Sequence, residues 1–429
     1  MKTNKAIDTT YINKKYINAI CYISLLFLGI YLAVYQIVIN LISEELSIGG
    51  AASGMLISLH FAGIMAAPAI FGEISDRIGK RPVIIISFVV MINGFLLVYF
   101  SNVLGFIALG IFLIGCGSGV IESVMSGLLA DINNGKINQV INISQMYFSI
   151  GAVLGPVFAL WIADVFGGWK QNYIVLAVLF FIMLVVILSQ KRIKLIDNKI
   201  VKDKIIENKI TNNKKVVDVV IDNKTIYDKE LVSENKELSM EKELETASSQ
   251  KGSIIVFLLR EKTVIMLCVS IFIYVGMEEA AAFWTNSYFL SAFNMEKFGA
   301  YALSGYWGSM ILGRYIGSKF EDKIGIFYSG GLFISFVSII LALIIKNPVL
   351  NLVCFVLVGF GFSVVWPYLM ATAAMDYYEY TGTAMGVMTM FGSAGGIVIP
   401  FLMGALSEMW GISVAFLTVP ILILIVLLL

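Results

Sequence analysis

Charge is what this sequence has least of. Only 14% of its 429 residues are Asp, Glu, Lys or Arg, against 59% hydrophobic, and it holds a single histidine and four cysteines. So thin a supply of charge, with a mean hydropathy of +0.88, excludes an ordinary soluble domain and reads as an all-α chain that crosses a bilayer many times. Cys21, Cys116, Cys268 and Cys354 lie inside apolar runs with no CxxC spacing, which speaks against a disulfide framework or a thiolate metal site. No GxxxxGK[ST] loop and no HExxH is present, so neither an ATP-driven pump nor a zinc hydrolase is indicated. An enzyme is the least favoured class. No metal or organic cofactor is expected, nor a nucleic-acid partner; lipid and a small solute are, and the chain reads as a monomer.

In hydrocarbon every backbone polar group must be paired internally, so apolar runs of about 20 residues read as spanning helices. Such runs fall at approximately 18–42, 50–71, 82–100, 104–130, 138–163 and 172–190, and again at 264–290, 298–320, 326–346, 349–375, 383–406 and 411–429. The first is too long for a signal h-region, and "NLISEEL" offers no small-residue cleavage site, so it reads as a retained helix. The twelfth ends with the chain, which leaves a minimal tail or a truncation.

The two sets of six are related. "LIGCGSGVIESVMSGLLADI" in the fourth span matches "LVGFGFSVVWPYLMATAAMDY" in the tenth, setting Gly115 on Gly359 and Gly117 on Gly361 at an offset of 244, which also sets Pro156 on Pro400. At an offset of 246, "DRIG" beginning at Asp76 falls on "DKIG" beginning at Asp322. Matches in register at nearly one offset predict parallel six-helix repeats, a transporter plan with its site where the repeats meet. The expected divisions are a six-helix bundle at 1–190, a charged linker at 191–262 and a second bundle at 263–429. The linker holds 16 Lys or Arg and 13 Asp or Glu with near-repeats such as "DNKIVKDK" and "DNKTIYDK"; it is too polar to bury a core and reads as disordered, with a surface helix at "SIIVFLLR". With the N-terminus inside, Lys170, Lys297 and Lys346 are the only three of 30 basic residues placed outside, so both termini and the linker are expected in the cytoplasm of a cell-membrane protein.

Charge, scarce elsewhere, is concentrated in "FGEISDRIGKRPV", residues 71–83, at the inner turn between the second and third spans. Gly79 supplies the backbone freedom a tight turn needs, and Asp76 can face a neighbouring helix N-terminus or an adjacent arginine, a contact that can break and remake. "GEISDRIGKRP" resembles the loop signature of the major facilitator superfamily, G-x-x-x-D-R-x-G-R/K-R, with Gly72, Asp76, Arg77, Gly79, Lys80 and Arg81 on pattern. The resemblance implies the major facilitator fold and a conformational latch near the cytoplasmic gate. The second copy departs from it: Ser318 stands for Gly72, Lys323 for Arg77, and Ile326 and Phe327 follow where Lys80 and Arg81 stood, so a latch at Asp322 is expected to be weaker.

Ionisable residues inside a membrane are costly and are candidates for function. Here they are Glu122, Glu278, Glu279 and Arg314. A carboxyl in that setting can take up and release a proton as water access alternates, which suits Glu122 and Glu278; a carboxyl hydrogen-bonded between helices is the alternative for each. Glu278 and Glu279, about 100° apart on a helix, cannot share a line of sight, so one pairs while the other faces the pathway. Arg314 reads as a gate or packing residue able to neutralise Glu321 or Asp322. Gln36, Asn40, Gln145, Trp284, Trp307, Trp366 and Tyr368 furnish a polar, aromatic cavity suited to a sugar's apolar face and hydroxyl rim, although each aromatic taken alone reads first as a structural, interfacial anchor. His60 reads as a packed residue ahead of a relay.

"YVGMEEAAAFW", "YWGSMILGRYIG" and "GCGSGVIES" resemble the helix-seven, -eight and -four patterns of the fucose-permease-like branch. That branch includes proton:sugar symporters, and Glu122 matches the glutamate implied in proton coupling. The chain departs from the branch in having no acid on its first helix and "SVMSGLL" after the glutamate. The expected function is a secondary transporter for a small polar solute, best a sugar, with the proton as coupling ion. Proton-driven efflux of an amphiphile uses the same parts. A non-transporting sensor would instead depend on the linker and fail when residues 195–245 are deleted.

Overall fold

The computed structural model of the chain describes residues 2–45, 50–189, 253–320 and 323–429, with the side chains of 2–13, 40, 43, 44, 50–55, 296 and 297 excepted. The Asn40 side chain, Asp322 and all of the expected linker up to residue 252 lie outside the described residues. Everything described is helix, turn or short connection.

The first six helices are α1 (Lys2–Glu45), α2 (Gly50–Ile78), α3 (Lys80–Phe100), α4 (Leu104–Ile132), α5 (Ile137–Phe166) and α6 (Lys170–Ser189). A five-residue helix, α7 (Ile254–Leu258), stands at the expected surface helix. After it come α8 (Lys262–Phe293), α9 (Glu296–Gly317), α10 (Ile324–Ile344), α11 (Pro348–Phe362), α12 (Val365–Asp376), α13 (Thr381–Trp410), α14 (Ile412–Ala415) and α15 (Thr418–Leu428). Ten spans among the described residues are long and apolar enough to cross a membrane. α9, 22 residues long, and α14 with α15 make up the expected twelve passes.

The repeats pack alike. α1 lies on α5, α2 and α3 on α4, and α3 on α6; correspondingly α8 lies on α13, α9 and α10 on α11, and α10 on α15. The glycines that match at the 244-residue offset do matching work. A Cβ on Gly115 would meet the α2 backbone at His60 and one on Gly117 would meet α3 at Ser87 and Met91, while Gly359 abuts α9 at Tyr306 and Gly361 abuts α10 at Gly331. Each pair lets the repeat's fourth helix touch two neighbours at backbone distance, the small-residue packing that drives helix association in lipid. Large apolar side chains such as Val157, Phe181 and Phe401 are exposed on the periphery, as expected where the surrounding solvent is hydrocarbon.

Two expected spans are not continuous: the twelfth divides into α14 and α15 at Phe416 and Leu417, and the tenth is interrupted within its length. The run 349–375 is broken at Ser363 and Val364, between α11 and α12. Pro367 explains it: without an N–H it cannot bond the carbonyl of Ser363 four residues back. That carbonyl is left for another donor.

The halves meet along α2 against α13, α5 against α9 and α12, and α4 against α12 and α13. The turn at Gly79, with φ 96°, hands the chain from α2 to α3 at one end of this seam.

Candidate functional site

The acid at the turn is the keystone of that end. Asp76 accepts hydrogen bonds from the Gly382 and Thr383 amides at 2.9 and 2.7 Å and from Thr383 Oγ1 at 2.8 Å, so it caps the N-terminus of α13, where orphan N–H groups and the helix dipole favour a carboxylate. Gly72 lies against the Gly382 backbone, with no room for a side chain. Lys80, 3% exposed, reaches Asp76 at 3.3 Å and Asp131 at 2.8 Å, and Asp131 accepts from Thr381 Oγ1 at 2.8 Å. One buried ammonium thus serves two carboxylates, and each carboxylate also binds the opposite half.

The other basic residues of the turn act within the first half. Arg81 Nη2 donates to the Leu188 carbonyl at 3.1 Å, at the end of α6. Arg77, exposed, pairs with Glu73 at 2.6 Å. Glu73 in turn accepts from Ser253 Oγ at 2.7 Å and the Ile255 amide at 3.3 Å, holding the start of α7. Phe257 of α7 meets Tyr380 edge-on at 6.1 Å. A five-residue helix therefore straps α2 to the start of α13 across the turn end.

Of the expected latch residues, Gly72 and Asp76 touch the opposite half and Lys80 bridges Asp76 to Asp131; Asp131, Thr381 and Thr383 were not singled out in the sequence. Asp131 had a signal, an acid closing the fourth span within the repeat match. The threonines had none.

Deeper in the seam the intramembrane charges come together. Arg314, 4% exposed, sends Nε to the Ser363 carbonyl at 3.1 Å, the acceptor freed by Pro367. Its Nη1 crosses to α5, donating to the Gln145 carbonyl at 3.0 Å and to Ser149 Oγ. Its Nη2 lies 3.9 Å from Glu278 Oε1, beyond hydrogen-bond reach. Gln145 Nε2 donates to Glu122 at 3.3 Å. Tyr274 Oη is 2.9 Å from Glu278 Oε1 and 2.8 Å from the Phe362 carbonyl, and Tyr306 donates to the Glu278 carbonyl at 3.1 Å. Glu122, Gln145, Arg314 and Glu278 form one chain of contacts spanning the two halves. The partner expected for Arg314, Glu321 or Asp322, lies outside the described residues; the one observed is Glu278.

Glu279 points elsewhere. Half-buried, it flanks Gly396 of α13 opposite Phe61 of α2. Of the two adjacent acids, Glu278 is the one near Arg314 and bonded by Tyr274.

The expected cavity residues divide. Gln145 belongs to the charged chain. Gln36 is exposed on α1 and Trp307 half-buried on α9, edge-on to Tyr306 at 5.3 Å. Trp366 is buried on α12. Trp284 donates Nε1 to the Pro400 carbonyl at 3.1 Å and packs on Gly404, within the second half, and Tyr368 lies on Tyr328 of α10 at 4.6 Å. His60 is buried and bonded through Nε2 to Tyr31, a contact internal to the first half.

Two matched sets of spanning helices meeting at a polar, hydrogen-bonded seam define a membrane transporter. The chain belongs to the Major Facilitator Superfamily, whose description matches residues 20–400; it is a multi-pass membrane protein that handles a small molecule and is not an enzyme. A Helicobacter pylori (strain ATCC 700392 / 26695) protein named for glucose/galactose transport is 24% identical over 350 residues, 79% of this chain and 76% of its own. A glucose/galactose transporter of Brucella abortus (strain 2308) is 28% identical over 160 residues, 35% of this chain and 37% of its own. Among solved structures, the E. coli fucose:proton symporter FucP superposes with a TM-score of 0.66 at 16% identity, covering 95% of this chain and 96% of that one. The proton:xylose symporter XylE gives 0.73 at 12% identity, covering 98% and 95%. Such identities establish a shared fold.

Proposed function

We propose that the protein imports a sugar or similar small polar metabolite together with a proton, by alternating access between bundles 1–190 and 263–429. The observation that carries this reading is the chain Glu122–Gln145–Arg314–Glu278: a half-buried carboxyl, a buried carboxyl and a buried guanidinium at the surface where the halves must part. Buried charge at a moving interface is costly unless its protonation is used. The names of the relatives supply the solute class. In this reading Glu122 and Glu278 carry the proton and no other cofactor is needed. Gln36, Asn40, Trp284, Trp307, Trp366 and Tyr368 are the candidates to line the solute's path. The Asp76 latch and its neighbours form the cytoplasmic gate, shut here, with termini and linker 191–262 on the cytoplasmic side of the cell membrane, and the working unit is a monomer without nucleic acid.

The test is external pH in de-energised cells expressing the protein, challenged in turn with monosaccharides. Solute-dependent alkalinisation that Glu122→Gln reduces at least tenfold is the expected outcome. No response to any sugar, with the protein present in the membrane, would sink sugar import and leave efflux of an amphiphile.

A further inference from the structure

Glu279 is the intramembrane acid that the contacts of the seam leave over. Near the middle of the 32-residue α8 and half-buried, it has no hydrogen-bond or ion-pair partner among the described residues. Arg314, the base of the seam, is spent, with Nε on Ser363, Nη1 on Gln145 and Ser149, and Nη2 toward Glu278. The neighbouring elements offer no substitute. α4, α5 and α13 hold no lysine, arginine or histidine, and α1 holds none beyond Lys15. α9 adds only Lys297, its second residue, and α8 only Lys262, its first, about 25 Å from Glu279 along the axis at 1.5 Å per residue. On α2, His60 is buried and bonded to Tyr31. A carboxylate held in the membrane without a cation is costly, so a group from outside the chain is expected to meet it.

What faces Glu279 across the seam is aromatic. Glu279 Cγ on the second half and Phe61 Cε1 on the first lie 3.7 and 3.9 Å from the place a Cβ on Gly396 would take, so the two side chains converge where α13 has none. Phe61 keeps part of its surface accessible, and Phe283, one turn along α8 from Glu279, is exposed. A carboxylate beside an aromatic ring suits a cation: the carboxylate accepts from its N–H groups, and the negative face of the ring meets its remaining charge. A hydroxyl also donates to a carboxylate, but it brings no charge to offset the one withdrawn from water. An ammonium brings both.

Resting on the reading of sugar import, we propose that the solute is a sugar bearing a protonated amine, and that Glu279 is the dock for its ammonium with Phe61 on the other side. The amine then joins the halves, since Glu279 belongs to the second and Phe61 to the first. Selection follows from charge. A hexosamine fits; its N-acetyl derivative, whose nitrogen is an uncharged amide, and the parent hexose both leave the carboxylate unneutralised. The two adjacent acids divide the work by their position on the helix, about 100° apart. Glu278 is turned to Tyr274 and Arg314, and Glu279 to Phe61 and Gly396.

The experiment is calorimetric titration of the purified full-length protein at about pH 6, where the amine is charged, with glucosamine, glucose, N-acetylglucosamine and tetraphenylphosphonium in turn. Glucosamine is expected to bind at least about tenfold more tightly than glucose or N-acetylglucosamine, the gain of one charge-assisted bond. Glu279→Gln should bring the glucosamine-to-glucose ratio to about one, while Glu279→Asp, which keeps the charge, retains part of the preference. The comparison of the three sugars on the unaltered protein decides the matter even if a variant fails to fold. Equal affinity for glucosamine and glucose, no binding of glucosamine, or a preference that survives Glu279→Gln would overturn the proposal. Binding of tetraphenylphosphonium alone would overturn it too, in favour of an amphiphilic cation. Uptake into proteoliposomes separates the dock from the symport reading. Glucosamine bound through Glu279 but not carried with protons would uphold the dock and overturn import; proton-coupled glucose uptake with no preference for glucosamine would uphold import and overturn the dock.

Discussion

A single carboxylate, Asp76, makes three hydrogen bonds to the start of α13 from a position 306 residues earlier. Hydrogen bonds to a charged group are worth about 1.5–3 kcal/mol each before competition from water. Asp76→Asn keeps an oxygen but loses the charge, and a net loss of roughly 2 kcal/mol, or about 30-fold in the closed-to-open ratio, is expected. Hydrogen exchange at the Gly382 and Thr383 amides would report it as faster exchange by a similar factor; unchanged protection would mean that packing of Gly72 on Gly382, not the carboxylate, closes this end. Asp76 was legible because the turn concentrates charge in a chain that has little. Its acceptor role could be argued from helix physics, but its partners could not, since nothing in "TGTAMG" distinguishes it from any other small-residue helix start. The pairing of Glu278 with Arg314 was hidden for a different reason: both residues stood out singly, yet their distance depends on the rotation of α8 against α9, which an all-round apolar helix does not encode.

At the scale of elements, the break between α11 and α12 turns a backbone defect into a binding feature. Pro367 removes one helical hydrogen bond, and Arg314 and Tyr274 take the carbonyls of Ser363 and Phe362 in its place. Irregular backbone is tolerated at membrane depth where protein or a cavity satisfies it. Pro367→Ala would restore an N–H able to claim Ser363, costing Arg314 the acceptor of its Nε. The expected outcome is a higher melting temperature with solute uptake lowered by about fivefold, corresponding to one hydrogen bond of about 1 kcal/mol; a rise in both would show the break to be a packing accident. The break inside this span was not legible because "GFSVVWPYLM" is uncharged and largely apolar, so hydropathy ran across a proline that membrane helices often accommodate. Most other span limits were legible to within a few residues, since polar or glycine-rich breaks bracket them; α1 and α2, beginning at Lys2 and ending at Ile78, run well past the apolar stretches at 18–42 and 50–71 because helix continues into polar sequence.

For the whole molecule, the repeat was the most legible feature, because the same glycines had to solve the same close-packing problem twice. The paired positions Gly115 with Gly359 and Gly117 with Gly361 touch equivalent neighbours in each half. A transporter built this way does its work in the seam and in the strap that begins at Ser253. The seam contacts described above are all made by residues outside 195–245, and removal of 195–245 is expected to leave uptake within about twofold of wild type; measured uptake that vanishes with normal amounts of protein in the membrane would give the linker the leading role.

The Lys80 bridge also bears on how the chain is made. A ribosome delivers Asp76, Lys80 and Asp131 long before it reaches Thr381, Gly382 and Thr383, and two carboxylates inserted alone would wait unneutralised through the synthesis of the entire second half. Because Lys80 contacts both acids from within the first half, at 3.3 and 2.8 Å, the newborn bundle holds its own counter-charge. This contact is assembled in two instalments: an ion pair that lets the first half settle in the lipid, and a helix cap, added at the last, that tells it the second half has arrived.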